Sequence, residues 1–165
     1  TLRWALQEVN IGLARRREKS DFEIVLWTRL SMSDNGGDAA EPLYPHLLYR
    51  IWDDNLTTLR LLGYNSSVVL QIKDLYSKGQ VSSAIKLLSQ QMIDDFALSG
   101  SVGDCLQKME SLQRIGVTQI VASPVGRTEA DVRRTQQKFG RHVIPFFRQR
   151  GHSAGTEVSS NPHVR

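Results

Sequence analysis

A single cysteine, Cys105, stands among 165 residues, so no disulfide framework holds this chain. A lone thiol fits a reducing compartment, and the expected location is the cytoplasm. Long apolar runs are missing as well. None approaches the roughly 18 residues of a spanning helix, and no signal-peptide pattern opens the chain. Charge of one sign is not in large excess: Lys and Arg number 21 against 17 Asp and Glu, a formal net charge of +4. With 40% hydrophobic residues, that balance excludes bulk disorder, which needs few apolar residues and a high net charge. Also absent are a Walker loop, a dinucleotide fingerprint, a nucleophile elbow and a recognisable RNA- or DNA-binding motif. The four histidines, His46, His142, His152 and His163, are scattered, and none has metal-ligand spacing from Cys105 or a carboxylate.

What is present amounts to one domain's worth of chain, 18.6 kDa, long enough to bury a core. Residues 1–18 read as a helix, with Trp4, Leu6, Val9, Ile11 and Leu13 on its apolar side. FEIVLWTRL, Phe22 to Leu30, reads as a strand, and its nearly unbroken apolar run predicts burial on both faces, as in a parallel sheet. Ser31 to Ala40 reads as a loop. Three helical stripes follow: Leu43 to Leu62 with Pro45 in the first turn, Val68 to Tyr76, and Val81 to Met92. Phe96–Leu98 is a short strand, Cys105 to Ile115 a helix, Val117–Ala122 a strand, and Thr128 to about Gln149 a final helix with a break expected at Pro145. Residues 1–150 form the expected domain, and 151–165 the expected disordered tail. Strands alternating with helices over short connections predict a parallel α/β arrangement.

Two loops carry the chemistry. The first strand-to-helix loop contains Gly100 and Ser101, and the spacing from Ser101 to Asp104 is that of a capping box. The second runs Ser123-Pro124-Val125-Gly126-Arg127-Thr128, and Thr128 with Asp131 repeats the spacing. Helix N-termini attract anions through unpaired N–H groups and the helix dipole, and Arg127 adds a guanidinium beside the second. Gly100 permits close backbone approach to a ligand. Ordinary caps with no ligand explain the same spacing, so on the residues alone both readings stand. Cys105 lies on an apolar helix face, where a buried inert thiol is expected. Asp53 with Asp54 and Asp94 with Asp95 are neighbours in sequence, which point apart on a helix and form no dyad. The stretch 127–150 carries Arg127, Arg133, Arg134, Lys138, Arg141, Arg148 and Arg150 against Glu129 and Asp131, an excess above that of the whole chain. A basic helix of this kind fits an anionic partner or a solvated face.

Met92, Ile93, Asp94, Phe96, Ala97, Gly100 and Asp104 are followed by Gly116, Val117, Thr118, Ile120, Val121, Ser123, Pro124 and Gly126. Through these residues Gln91–Gly126 resembles the C-terminal part of luciferase-like flavin and deazaflavin oxidoreductases. It is most similar to their methylenetetrahydromethanopterin reductase branch, which reads M-I-D-x-F-A-x-x-G-T-P-E-D, then G-V-T-H-I-V, then S-P-x-G. Ser101-Val102-Gly103 stands in place of Thr-Pro-Glu, and Gln119 in place of His. The ending from Gly140 to Phe147 is similar to that family's closing helix.

The resemblance implies an α/β fold, the C-terminal portion of a (β/α)8 TIM-type barrel with a helical insertion, holding roughly its last three strands. It implies hydride transfer between a deazaflavin coenzyme of the F-420 type and a substrate such as a methylene-tetrahydropterin. An FMN-dependent luciferase-like monooxygenase is the alternative within the same fold. A non-catalytic anion- or nucleic-acid-binding module using the basic C-terminal helix is the alternative outside it. Gly100, Ser101, Ser123, Gly126 and Arg127 are the expected cofactor-binding residues. No catalytic residue and no metal ligand carries over. The partners expected are a small-molecule substrate and a flavin-type cofactor, with no membrane, nucleic acid only under the alternative outside the fold, and a homo-oligomer for the full-length protein. The opening Thr1 fits a piece of a larger domain, one expected to be inactive alone.

Overall fold

The β-branched and aromatic run after Phe22 does form a strand, β1 (Val25–Met32), at the centre of a three-stranded sheet. The structure, a computed structural model, describes residues 2–15, 22–34 and 37–153. Helix α1 (Leu2–Ala14) precedes β1. Residues 16–18 of the expected first helix lie outside the described residues. After β1, 3-10 turns at Gly37–Ala39 and Glu41–Leu43 lead into α2 (Tyr44–Asp53), with Pro in its first turn as expected.

The long stripe from Leu43 to Leu62 is not one helix. Asp54 is extended, and the Asn55 side chain accepts the Thr58 N–H, starting α3 (Leu56–Leu61). Asn65 caps α4 (Ser66–Ser77) in the same way. The Val81–Met92 stripe also divides, into α5 (Val81–Ile85) and α6 (Gln90–Phe96), because Ser89 caps the second piece. The Lys73 ammonium donates to the carbonyls of Trp52 and Asp54, tying α4 to the end of α2. Leu48, Ile51, Leu59, Val69, Ile72, Ala84 and Met92 bury together as the core of this helical insertion.

Strand β2 (Ala97–Gly100) runs into α7 (Val102–Arg114), and β3 (Gln119–Pro124) into α8 (Glu129–Lys138). A π-helical turn, Phe139–Val143, then joins α8 to α9 (Ile144–Ser153). The break expected at Pro145 does not occur. The helix runs unbroken through the π turn that ends just before Pro145, and this wider turn, closed by the Ile144 N–H on the Phe139 carbonyl, is the local distortion that accommodates the missing proline donor. Helix α9 also runs past the start of the expected tail. Residues 154–165, where disorder was expected, lie outside the described residues.

All strand pairing is parallel, in the order β2-β1-β3. Strand β3 pairs along β1 from Val25–Gln119 to Leu30–Pro124, whereas β2 reaches only the stretch from Arg29 to Met32. Consecutive strands are neighbours in a (β/α)8 barrel. Strand β1 accordingly has β2, the next strand in the chain, on one side, and β3 lies on its other side rather than beyond β2. The three strands expected from the resemblance are present, with β1 rather than β2 in the middle.

Leu30, Met32, Leu98, Ile120 and Ala122 face α7 and the π turn, where they pack with Cys105, Met109 and Val143. The other face is open over its first half: Trp27 is 75% exposed, Val25 50% and Val121 44%. The burial of β1 on both faces expected from its composition thus holds only from Leu30 to Met32. An apolar alternation specifies a strand, but which faces are covered depends on what packs there.

Candidate functional site

Parallel pairing puts both strand-to-helix loops at one end of the sheet, and the strand order places them on either side of β1. In each loop the chain supplies its own anion. The Ser101 N–H donates to Asp104 Oδ2 at 2.8 Å, and the Asp104 N–H donates to Ser101 Oγ at 3.2 Å. Thr128 and Asp131 repeat this at 3.0 and 3.2 Å. Hydrogen bonds from the Ser101 hydroxyl and backbone hold the Asp104 carboxyl below its usual range, and those from Thr128, then Arg134, do the same for Asp131. Both capping boxes read from sequence are present, but each uses one of the N–H groups expected to face a ligand.

The two glycines are explained by the same helix starts. A Cβ on Gly100 would lie 2.7 Å from Asp104 Oδ2, and one on Gly126 would lie 2.6 Å from Asp131 Cβ and 2.8 Å from the Val132 nitrogen. What approaches each glycine closely is the first turn of the following helix.

Gly126 and Arg127 line an open pocket of about 630 Å³ with Glu41, Tyr44, His46 and Lys86. Its walls come from the start of α2, from α5 and its following residue, and from the β3–α8 loop. Arg127 pairs with Glu41 across it. Burial, then the charge of Arg29, pushes the His46 imidazole below its ordinary range, favouring its neutral form. Ser123 lies on β3 itself, three residues before Gly126 and opposite Arg29 of β1, where its Oγ accepts a long 3.5 Å bond from the Arg29 guanidinium. Gly100 and Ser101 are absent from this pocket, on the other side of β1. Of the five residues singled out in sequence, Gly126 and Arg127 share the pocket, Ser123 lies toward Arg29, and the other two lie apart.

Arg29, Glu41, His46 and Lys86 were not picked out as site residues. Arg29 had one signal, a charge inside an otherwise apolar strand; the rest had none, since their association is tertiary.

Other groups have structural partners. Lys108 holds the Ala97 carbonyl at 2.6 Å and lies 3.6 Å from Asp94, while Tyr64 donates to Asp95 at 2.7 Å. The Asp94–Asp95 pair is thus divided between two partners, as adjacent helical residues must be. In the basic stretch, Arg133 pairs with Glu129, Arg134 with Asp131, and Lys138 with Asp34. No group of three or more His, Cys, Asp or Glu side chains that could hold a metal occurs among the described residues. Nor is any described helix long and apolar enough to cross a membrane.

Cys105 is buried, and burial, then the charge of Asp104, pushes its thiol up to about 11. A disulfide reagent at pH 8 is expected to react with the folded chain about a hundredfold more slowly than with a free cysteine, and at the ordinary rate in urea. Equal rates in both states would show that the thiol is exposed.

No protein-family profile matches the sequence. Over 147 residues, 86% of the chain, it is 26% identical to the 5,10-methylenetetrahydromethanopterin reductase of Archaeoglobus fulgidus, covering 43% of that protein. Against the reductase of the same name from Methanopyrus kandleri it is 26% identical over 134 residues, 81% of the chain and 38% of that protein. The fold agrees. The structure of the coenzyme F-420-dependent tetrahydromethanopterin reductase from Methanopyrus kandleri matches with a TM-score of 0.74 and 25% identity, over 88% of this chain and 42% of that one. The chain is a relative of part of these reductases. It spans about two fifths of the length of the curated reductases it matches. Like them it is α/β, and its sheet is part of a (β/α)8 barrel. Helices form the outer ring of such a barrel, so the face opposite α7, with Val25, Trp27 and Val121, is the inward one.

Proposed function

We propose that the chain is part of a deazaflavin-dependent oxidoreductase that transfers a hydride between coenzyme F-420 and a methylene-tetrahydropterin-like substrate. The observation that carries this is the agreement of sequence and fold, over more than four fifths of the chain, with reductases of that name. The donor set supports it. Arg29 beside Ser123, with Lys86 and Arg127 in the adjoining pocket, supplies three basic side chains suited to the anionic and polar parts of such a coenzyme or substrate. The bound deazaflavin supplies the hydride chemistry itself.

This chain's part is binding and orientation. Arg127 and Gly126 form one wall of the ligand pocket, and Ser123 with Arg29 forms the adjoining stretch of inward sheet face. Gly100 and Ser101 fix the loop on the other side of β1.

A chimera tests this: the Archaeoglobus fulgidus reductase with its matched 147 residues replaced by those of this chain. Titration with coenzyme F-420 is expected to show binding, and titration with FMN to show much weaker binding. A folded chimera that takes up neither would sink the proposal; one that prefers FMN and consumes oxygen would move it to the monooxygenase reading.

A further inference from the structure

The pocket beside Arg127 has an unequal charge balance. Lys86 and Arg127 line it, Arg29 acts on His46 in its wall, and Glu41 is its one acid. Lys86 has no carboxylate within ion-pair distance among the described residues. Arg127 has only Glu41, and that pair is 55% and 52% exposed. Both groups keep much of their hydration, so the pair contributes little and exchanges readily. Its size, about 630 Å³, is that of a small-molecule site. Tyr44, Pro42 and Pro45 add flat apolar wall beside the charges.

We propose that this pocket binds a small molecule through an oxyanion, phosphate or carboxylate, which replaces Glu41 at Arg127 and takes Lys86 as its second contact. Glu41 is then an internal competitor that occupies the guanidinium when no ligand is present. Its place on a 3-10 turn just before α2, and that of Lys86 just after α5, mean that the exchange couples the helical insertion to the β3–α8 loop. This deepens the reading above, because Arg127 is one of its ligand residues, but it makes no use of hydride transfer.

Calorimetric titration of the chain with inorganic phosphate, and separately with succinate, tests it. Glu41→Gln is expected to bind the better of the two anions about fivefold more tightly, since it removes an exposed ion pair and a repelling charge. Arg127→Gln is expected to bind at least about tenfold more weakly, and Lys86→Gln several-fold more weakly. The preferred anion distinguishes a phosphate-bearing ligand from a carboxylate-bearing one. All three side chains project into an open pocket, so circular dichroism and melting should be unchanged. Binding that Glu41→Gln leaves equal or weaker, or that survives Arg127→Gln intact, overturns the inference. If the anion series behaves as stated while the chimera binds no deazaflavin, the pocket stands and the reductase reading falls; the opposite result removes the pocket alone.

Discussion

Trp27→Ser is expected to shift the chain from a self-associating species toward monomer, weakening association about ten- to a hundredfold by sedimentation. The residue is 75% exposed in the middle of the central strand of an all-parallel sheet. Parallel sheets are covered on both faces, and an uncovered one carries the cost of hydrated apolar surface. Val25 and Val121 flank Trp27 on this face, Val121 as its direct partner in the β1–β3 register. Burying most of an indole against another surface stabilises a complex by about 1.5–3 kcal/mol, which is the source of the expected factor. The outer edge of β3 adds unpaired backbone groups that favour association. Thr28→Ser, one position along on the opposite face, should leave association unchanged. A wild-type chain that stays monomeric at tens of micromolar, with Trp27 freely quenched, would contradict the expectation.

The contrast between Trp27 and the caps shows where sequence reasoning reached its limit. Ser101 with Asp104 and Thr128 with Asp131 were legible because a capping box needs only four consecutive residues. The helix breaks at Asn55 and Ser89 had equally local signals, but the apolar spacing ran straight through them and concealed the starts of α3 and α6. The covering of Trp27 could not be read, because it depends on what lies across the sheet. The same holds for the pocket. Arg127 was recognised from its place after a strand, yet its partner Glu41 lies far back in the chain, and His46 feels an arginine from β1. Nor could the alternation of strands and helices reveal that β1 separates the two loops. It predicted parallel strands and left their order open.

Gly100→Ala is expected to be the most destabilising of the simple glycine replacements, by about 3 kcal/mol or more in urea unfolding, and Gly126→Ala to cost about 1–3 kcal/mol. At Gly100 two effects add. Its φ of +127° is a conformation that side chains rarely adopt, and its Cβ would meet the Asp104 carboxylate and the Asp104 Cβ at 2.7 and 2.8 Å. The Asp104 side chain cannot swing away freely, because it accepts the Ser101 N–H that begins α7. At Gly126 only the overlap acts, but it falls on Asp131 Cβ and the Val132 nitrogen, so the loop or the first turn of α8 must move. That movement carries Arg127 with it, and anion binding in the neighbouring pocket should weaken together with stability. Gly140→Ala is the control: a Cβ there meets nothing within 4 Å, in a helical turn where alanine is preferred, so the change should be neutral or slightly stabilising. If Gly100→Ala unfolds at the same urea concentration as Gly140→Ala, the tight turn between β2 and α7 is not what holds that loop.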